Sequence, residues 1–98
     1  MKSRTLSVFL SGAALALGLA TSATAASPDF CHDYARAAID QVHRAQDHRS
    51  CHYVFDNGGG RWSGDWHAHF NWCLGVSRDQ ADGERSARRR ALEDCAHW

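Results

Sequence analysis

The sequence predicts a small all-α, disulfide-rich domain: two antiparallel helices, a short central helix and a Gly-rich loop. Three observations predict it. Four cysteines, Cys31, Cys51, Cys73 and Cys95, follow an apolar leader at nearly even spacing, with 19, 21 and 21 residues between them. Two long segments repeat small and apolar residues at helical spacing. Each of those segments opens on a helix-capping sequence. An even cysteine count in a short exported chain reads as a framework of two disulfides.

The leader reads as a secretory signal. Lys2 and Arg4 supply the charged start, and Leu6 to Ala20 is an uncharged run of 15 residues. Ala23-Thr24-Ala25 then places small residues where a signal peptidase needs them, so cleavage is expected after Ala25. Spanning a bilayer takes roughly 20 apolar residues, so the run is short for an anchor. Residues 1–25 are therefore read as a signal peptide and residues 26–98 as a single disulfide-stapled domain. The expected location is the periplasm or the secreted space, with no membrane insertion after cleavage.

Removing Lys2 and Arg4 from eleven basic residues leaves nine against eleven acidic ones, a formal net charge of −2. No lysine remains, and a nucleic-acid partner is not expected from such a balance. Aliphatic residues are few, so aromatics must fill much of the core. A core this small leaves only a few kcal/mol, and disulfides closing loops of about 20 or 60 residues would each add about 3–4 kcal/mol.

Ser27-Pro28-Asp29 is a helix start, with a capping serine, a proline suited to the first turn and an aspartate complementing the dipole. The helix is expected to run to about Arg49, burying Phe30, Tyr34, Ala37, Ala38, Val42 and Ala45. Tyr53-Val54-Phe55 favours extended structure, and Asp56-Asn57-Gly58-Gly59-Gly60 must form a loop after it. Trp66 to Leu74 fits helical spacing through Trp66, Phe70, Cys73 and Leu74. Strand alternation fits it as well. A helix is favoured because Ser63 can cap it, with Asp65 in the first turn. Ser77 and Gln80 match a capping box. The helix they open should run to about Cys95, with Ala87, Ala91 and Cys95 inward, Leu92 and Ala81 alongside, and Gly83 weakening it.

Three disulfide pairings are possible. If the first and last helices pack antiparallel, Cys31 meets Cys95, and Cys51 meets Cys73 across the glycine loop. That pairing is preferred. Cys31-x2-Tyr34-Ala35, Trp62-Ser63, His69-Phe70-x-Trp72-Cys73 and Arg88-x3-Leu92-x2-Cys95 together resemble the pattern of small exported four-cysteine proteobacterial domains of unknown function. The resemblance covers nearly all of the mature chain. It implies a two-helix, four-cysteine layout in a Gram-negative periplasm and brings no catalytic residues.

Seven histidines all lie in the mature part. Imidazole is a common metal ligand near neutral pH. His67 and His69 would share a face on a strand, whereas on a helix they stand about 200° apart. His48 and His52 would chelate only if the first helix continued past Ser50. His32 and His97 would approach only if Cys31 were bonded to Cys95. Trp62, Trp66, Phe70 and Trp72 are read mainly as core, with Trp62 and Trp66 as candidate stacking surfaces beside Asn57, Asp65 and Asn71. Arg85, Arg88, Arg89 and Arg90, interleaved with Glu84, Glu93 and Asp94, read as a solvated face on which Glu84 and Arg88 are spaced to pair.

These residues lead to an exported binding domain that contacts an envelope protein or cell-wall glycan, without catalysis or a cofactor. Trp62, Trp66, Arg61 and the Gly58–Gly60 loop would make the contact. The alternatives are a periplasmic metal-binding protein using His67 and His69, and a small inhibitor inserting the glycine loop into an exported enzyme.

Overall fold

The computed structural model describes residues 24–57 and 59–96. The expected signal peptide falls almost wholly outside the described residues, as do Gly58 and His97. The all-α fold class is as expected. Four α-helices are described: α1, Pro28–Asp47; α2, Val54–Asn57; α3, Trp66–Leu74; and α4, Arg78–Cys95. Two 3₁₀ turns, Arg49–Cys51 and Gly59–Trp62, flank α2.

Ser27 caps α1, its side chain accepting the Phe30 N–H at 3.2 Å, and Pro28 occupies the first turn. The helix ends two residues earlier than expected. His48 turns extended, and Arg49–Cys51 tightens into a 3₁₀ turn that brings Cys51 under α4. Tyr53–Phe55 does not form a strand. No neighbouring strand is described that could pair with it, so its backbone groups are met locally instead. The Phe55 N–H donates to His52 O and the Asp56 N–H to Tyr53 O, both at 3.1 Å. Local propensity yields to the burial of Val54 beside Trp62. Gly59, at φ +53°, turns the chain into the second 3₁₀ turn, a conformation that favours glycine.

The segment from Trp66 is helical. Its cap is Asp65, whose side chain accepts the His67 N–H at 3.0 Å, while Ser63 Oγ accepts the Asp65 N–H. The capping box of α4 forms as expected: the Gln80 N–H donates to Ser77 Oγ at 3.2 Å, and the Ser77 N–H to Gln80 Oε1 at 3.0 Å.

The direction of the last helix differs from expectation. At the start of α1, the Ala26 N–H donates to Val76 O at 2.8 Å. Midway, Arg88 Nε donates to Gln41 Oε1 at 2.7 Å and Gln41 Nε2 to Arg85 O at 3.1 Å. Past the end of α1, Ser50 Oγ donates to Cys95 O. Residue numbers rise together on the two sides, so α1 and α4 run parallel. Between them the chain must return, and α3 makes the return by crossing the first turns of α1.

This direction overturns the preferred disulfide pairing. An 18-residue helix rises roughly 27 Å, so parallel packing holds Cys31 and Cys95 at opposite ends of the domain. The bonds are Cys31–Cys73 and Cys51–Cys95, with Cα separations of 5.5 and 5.2 Å. Each bond sits in its own small core. Ala26, Cys31, Tyr34, Cys73 and Ala81 cluster at one end. Val42, Ala45, Cys51, Val54, Trp62, Leu92 and Cys95 cluster at the other. The buried stripe of α4 is Ala81, Arg88, Leu92 and Cys95, and Ala87 and Ala91 are only half-buried.

Peptide mapping without reduction should recover the Cys31–Cys73 and Cys51–Cys95 pairs. Removing either bond by paired Cys→Ala substitution should cost about 4 kcal/mol in urea unfolding, since each closes more than 40 residues. Gly83→Ala should raise stability by about 0.5–1 kcal/mol, because the exposed helical site has open space where the methyl group would go.

Candidate functional site

Between the two cores the α1–α4 interface is polar. Arg88 occupies a position on the inner stripe of α4 where a leucine would continue the apolar pattern. The parallel packing of α1 beside it leaves the side chain 1 % exposed. Its Nε donates to Gln41, and its Nη1 donates to the Arg61 carbonyl at 3.2 Å. The guanidinium carbon lies 5.1 Å from the centre of the Tyr34 ring, a cation–π distance. Nη2 is buried with no hydrogen-bond partner. No carboxylate within salt-bridge distance of Arg88 is described. The pairing expected between Glu84 and Arg88 is therefore replaced: Glu84 binds Arg61 through two bonds, Nε to Oε1 at 2.8 Å and Nη2 to Oε2 at 2.9 Å.

Arg88 contributes to the lining of an open cleft of about 690 Å³. Tyr34, Trp62, His69 and Trp72 supply aromatic walls, and the Arg61–Glu84 pair stands at its edge. Trp72 is 41 % exposed, although it was expected in the core. Its ring lies 5.7 Å from Tyr34. Trp62 is buried and reaches the cleft from the 3₁₀ turn that also carries Arg61.

His69 is buried in the cleft wall at 4 % exposure. Its Nε2 lies 2.7 Å from Ser63 O. A carbonyl only accepts, so Nε2 carries the proton and Nδ1 is the acceptor of the neutral ring. Burial, with Arg88 nearby, lowers the pKa of His69 below its ordinary 6.5, although the Ser63 bond opposes the shift. The Arg61 hydrogen bond lowers Glu84 below its ordinary 4.5, and the same bond raises Arg61.

The sequence-derived site residues divide. Arg61 and Trp62 meet at the cleft. Trp66 does not line it; it stacks on Phe70 at 4.9 Å, with His32 and His67 edge-on at 5.2 and 5.3 Å. His67 and His69 are not brought together. Both sit on α3, with His67 exposed and His69 turned inward onto Ser63. Among the described residues, no group of three or more His, Cys, Asp or Glu side chains is placed to hold a metal ion. The conditions set for the other histidine pairs also fail, because α1 ends at Asp47 and Cys31 is bonded to Cys73. Sequence reasoning missed Arg88, Tyr34, Trp72 and Glu84 as cleft residues. The available signal was the spacing Ala81–Arg88–Leu92–Cys95, which puts an arginine on an otherwise apolar stripe.

No helix among the described residues is long and apolar enough to cross a membrane. In comparisons with known proteins, no family model, curated protein or solved structure matches the chain.

Stability should fall on acidification in two windows. Below pH 6.5 the unfolded His69 gains a proton that the folded ring resists, so stability drops until the lower folded value is passed. The contribution of Glu84 is present above pH 4.5 and is lost as pH falls through its depressed folded value. Urea midpoints measured from pH 8 to pH 3 should show both declines, with His69→Gln removing the first and Glu84→Gln the second.

Proposed function

We propose that this chain is a small exported binding domain of the bacterial envelope that holds an envelope protein or cell-wall glycan in its aromatic cleft. Two disulfides are consistent with an oxidising, non-cytoplasmic compartment. Cleavage after Ala25 would release it into a Gram-negative periplasm or beyond, in line with the resemblance to exported proteobacterial domains. The observation that carries the reading is the cleft itself. About 690 Å³ of open volume lies against aromatic rings and a buried arginine that retains an unused donor. Ligand sites commonly combine such apolar walls with a few convergent polar groups.

The reading is one of binding rather than turnover. The His69 Nε2–H is committed to Ser63, and the Glu84 carboxylate is committed to Arg61. In this reading Arg61, Trp62 and Trp72 make the contact, while Trp66 belongs to a separate aromatic strip on α3.

The test uses the mature protein, with envelope proteins and solubilised cell-wall fragments as ligands. Trp72→Ala should weaken binding by about tenfold or more, the loss of one well-packed aromatic contact. Trp66→Ala should change it by less than about twofold. Dependence on Trp66 with indifference to Trp72 would move the contact to the outer strip and overturn the cleft as the site.

A further inference from the structure

We propose that the cleft recognises the C-terminal carboxylate of a peptide whose last residue is apolar, with Arg88 as the carboxylate-binding residue. The inference rests on the cleft being a binding site and assigns the chemistry of its occupant.

Charge selects an anion. Arginine remains charged at any biological pH. Arg88 is 1 % exposed, and its described partners are two neutral oxygens and the face of Tyr34. A buried cation with no carboxylate in salt-bridge distance is costly, even though the Arg88 charge reaches Glu84 and helps lower its pKa. A bound carboxylate would offset part of that cost. The charged groups at the cleft are Arg61, Arg88 and Glu84, with His69 held toward its neutral form by burial. Arg61 and Glu84 cancel as a pair, so one positive charge is left to match a monoanion.

Hydrogen bonding selects a carboxylate. Nε and Nη1 are already used, so one edge of the guanidinium keeps a free donor at Nη2. One oxygen of a carboxylate satisfies that donor, and a dianionic phosphate would bring an excess negative charge beside Glu84. The aromatic walls then suit an apolar terminal side chain. A cleft of this volume takes about two or three residues of extended chain rather than one small acid.

Access requires the rim to part. Arg88 is covered in the free protein, and the Arg61–Glu84 pair beside it is 44 % and 28 % exposed at the side chains. Arg61 stands on a turn that begins at Gly59. Release of the Arg61 side chain from Glu84 exchanges a partly exposed ion pair for solvent. It leaves the Arg61 carbonyl on Arg88 and the Trp62 wall in place. That side-chain movement is what would open Nη2 to the incoming carboxylate.

The test is an NMR titration of the mature, disulfide-bonded protein, following the Arg88 Nε–H and the indole N–H signals of Trp62 and Trp72. Four probes are compared: acetyl-alanyl-alanyl-phenylalanine with a free carboxylate, its C-terminal amide, 3-phenylpropionate and inorganic phosphate. The acid peptide should shift these signals saturably, with affinity about tenfold or more above the amide. Phenylpropionate should bind more weakly than the acid peptide, and phosphate should leave the signals in place. Arg88→Met, which removes the charge and the Nη2 donor while keeping a long apolar side chain, should remove the preference for acid over amide. If that variant does not fold by near-ultraviolet circular dichroism, the wild-type comparison still decides. Equal binding of acid and amide would overturn the role of Arg88 while leaving the cleft as a binding site. Equal affinity for phenylpropionate and the acid peptide would overturn the peptide in favour of a small aromatic acid, and a phosphate-only response would overturn the carboxylate. No response to any probe, alongside Trp72-dependent envelope binding, would overturn this inference alone.

Discussion

The parallel alignment of α1 and α4 is the constraint from which the other features follow. Two consecutive long helices with a short connection would pack antiparallel. Here the connection is long, and it must carry the chain back from the end of α1 to its beginning. That return is made by a one-turn helix, two 3₁₀ turns and α3, and it places α3 across the first turns of α1. The interlaced disulfides follow directly. Each joins one of the two long helices, at its end or just beyond it, to the returning segment or to the other helix. Each closes a loop of more than 40 residues, so each removes a large share of unfolded-state freedom.

The same alignment explains why there are two small cores instead of one. Aliphatic residues are too few to fill a continuous interface between helices of 20 and 18 residues. Ala35, Ala38, Ala45 and Ala81 are buried, so small side chains make up much of what these helices bury. Between the clusters, Gln41 and Arg88 bridge the gap with hydrogen bonds. Gln41 uses both ends of its amide, accepting from Arg88 and donating to the backbone of α4. A rung of this kind has little tolerance for a shift in register, because any slip leaves a buried charge unpartnered. It aligns the helices as the disulfides do, from the middle of the interface.

The cleft is the outer side of that rung. Packing that buries Arg88 beneath Tyr34 also brings Trp72 and His69 from α3 and Trp62 from the second 3₁₀ turn around it. Its walls therefore come from three parts of the chain far apart in sequence. Burial lowers the pKa of His69 and so favours its neutral form beside Arg88.

Much of the secondary structure was legible from local chemistry. Ser27 with Pro28 opened α1, and Ser77 with Gln80 opened α4, because a cap satisfies free N–H groups within three residues of itself. The all-α, disulfide-rich class followed from helical spacing and four cysteines. Of the residues that line the cleft, the sequence singled out Arg61 and Trp62 but not Tyr34, Trp72 or Glu84. Helix direction was beyond local reach: caps and periodicity look the same in parallel and antiparallel packing, and the preferred cysteine pairing failed for that reason. Tyr53–Phe55 failed because strand propensity needs a partner strand, which only the fold supplies or withholds. Arg88 read as one of a run of solvated arginines, and only the approach of α1 turned it inward. The sequence by itself thus determined where the helices begin and that disulfides would staple them. The tertiary structure decided which ends meet and which charge is buried, because both depend on contacts between residues more than 40 positions apart.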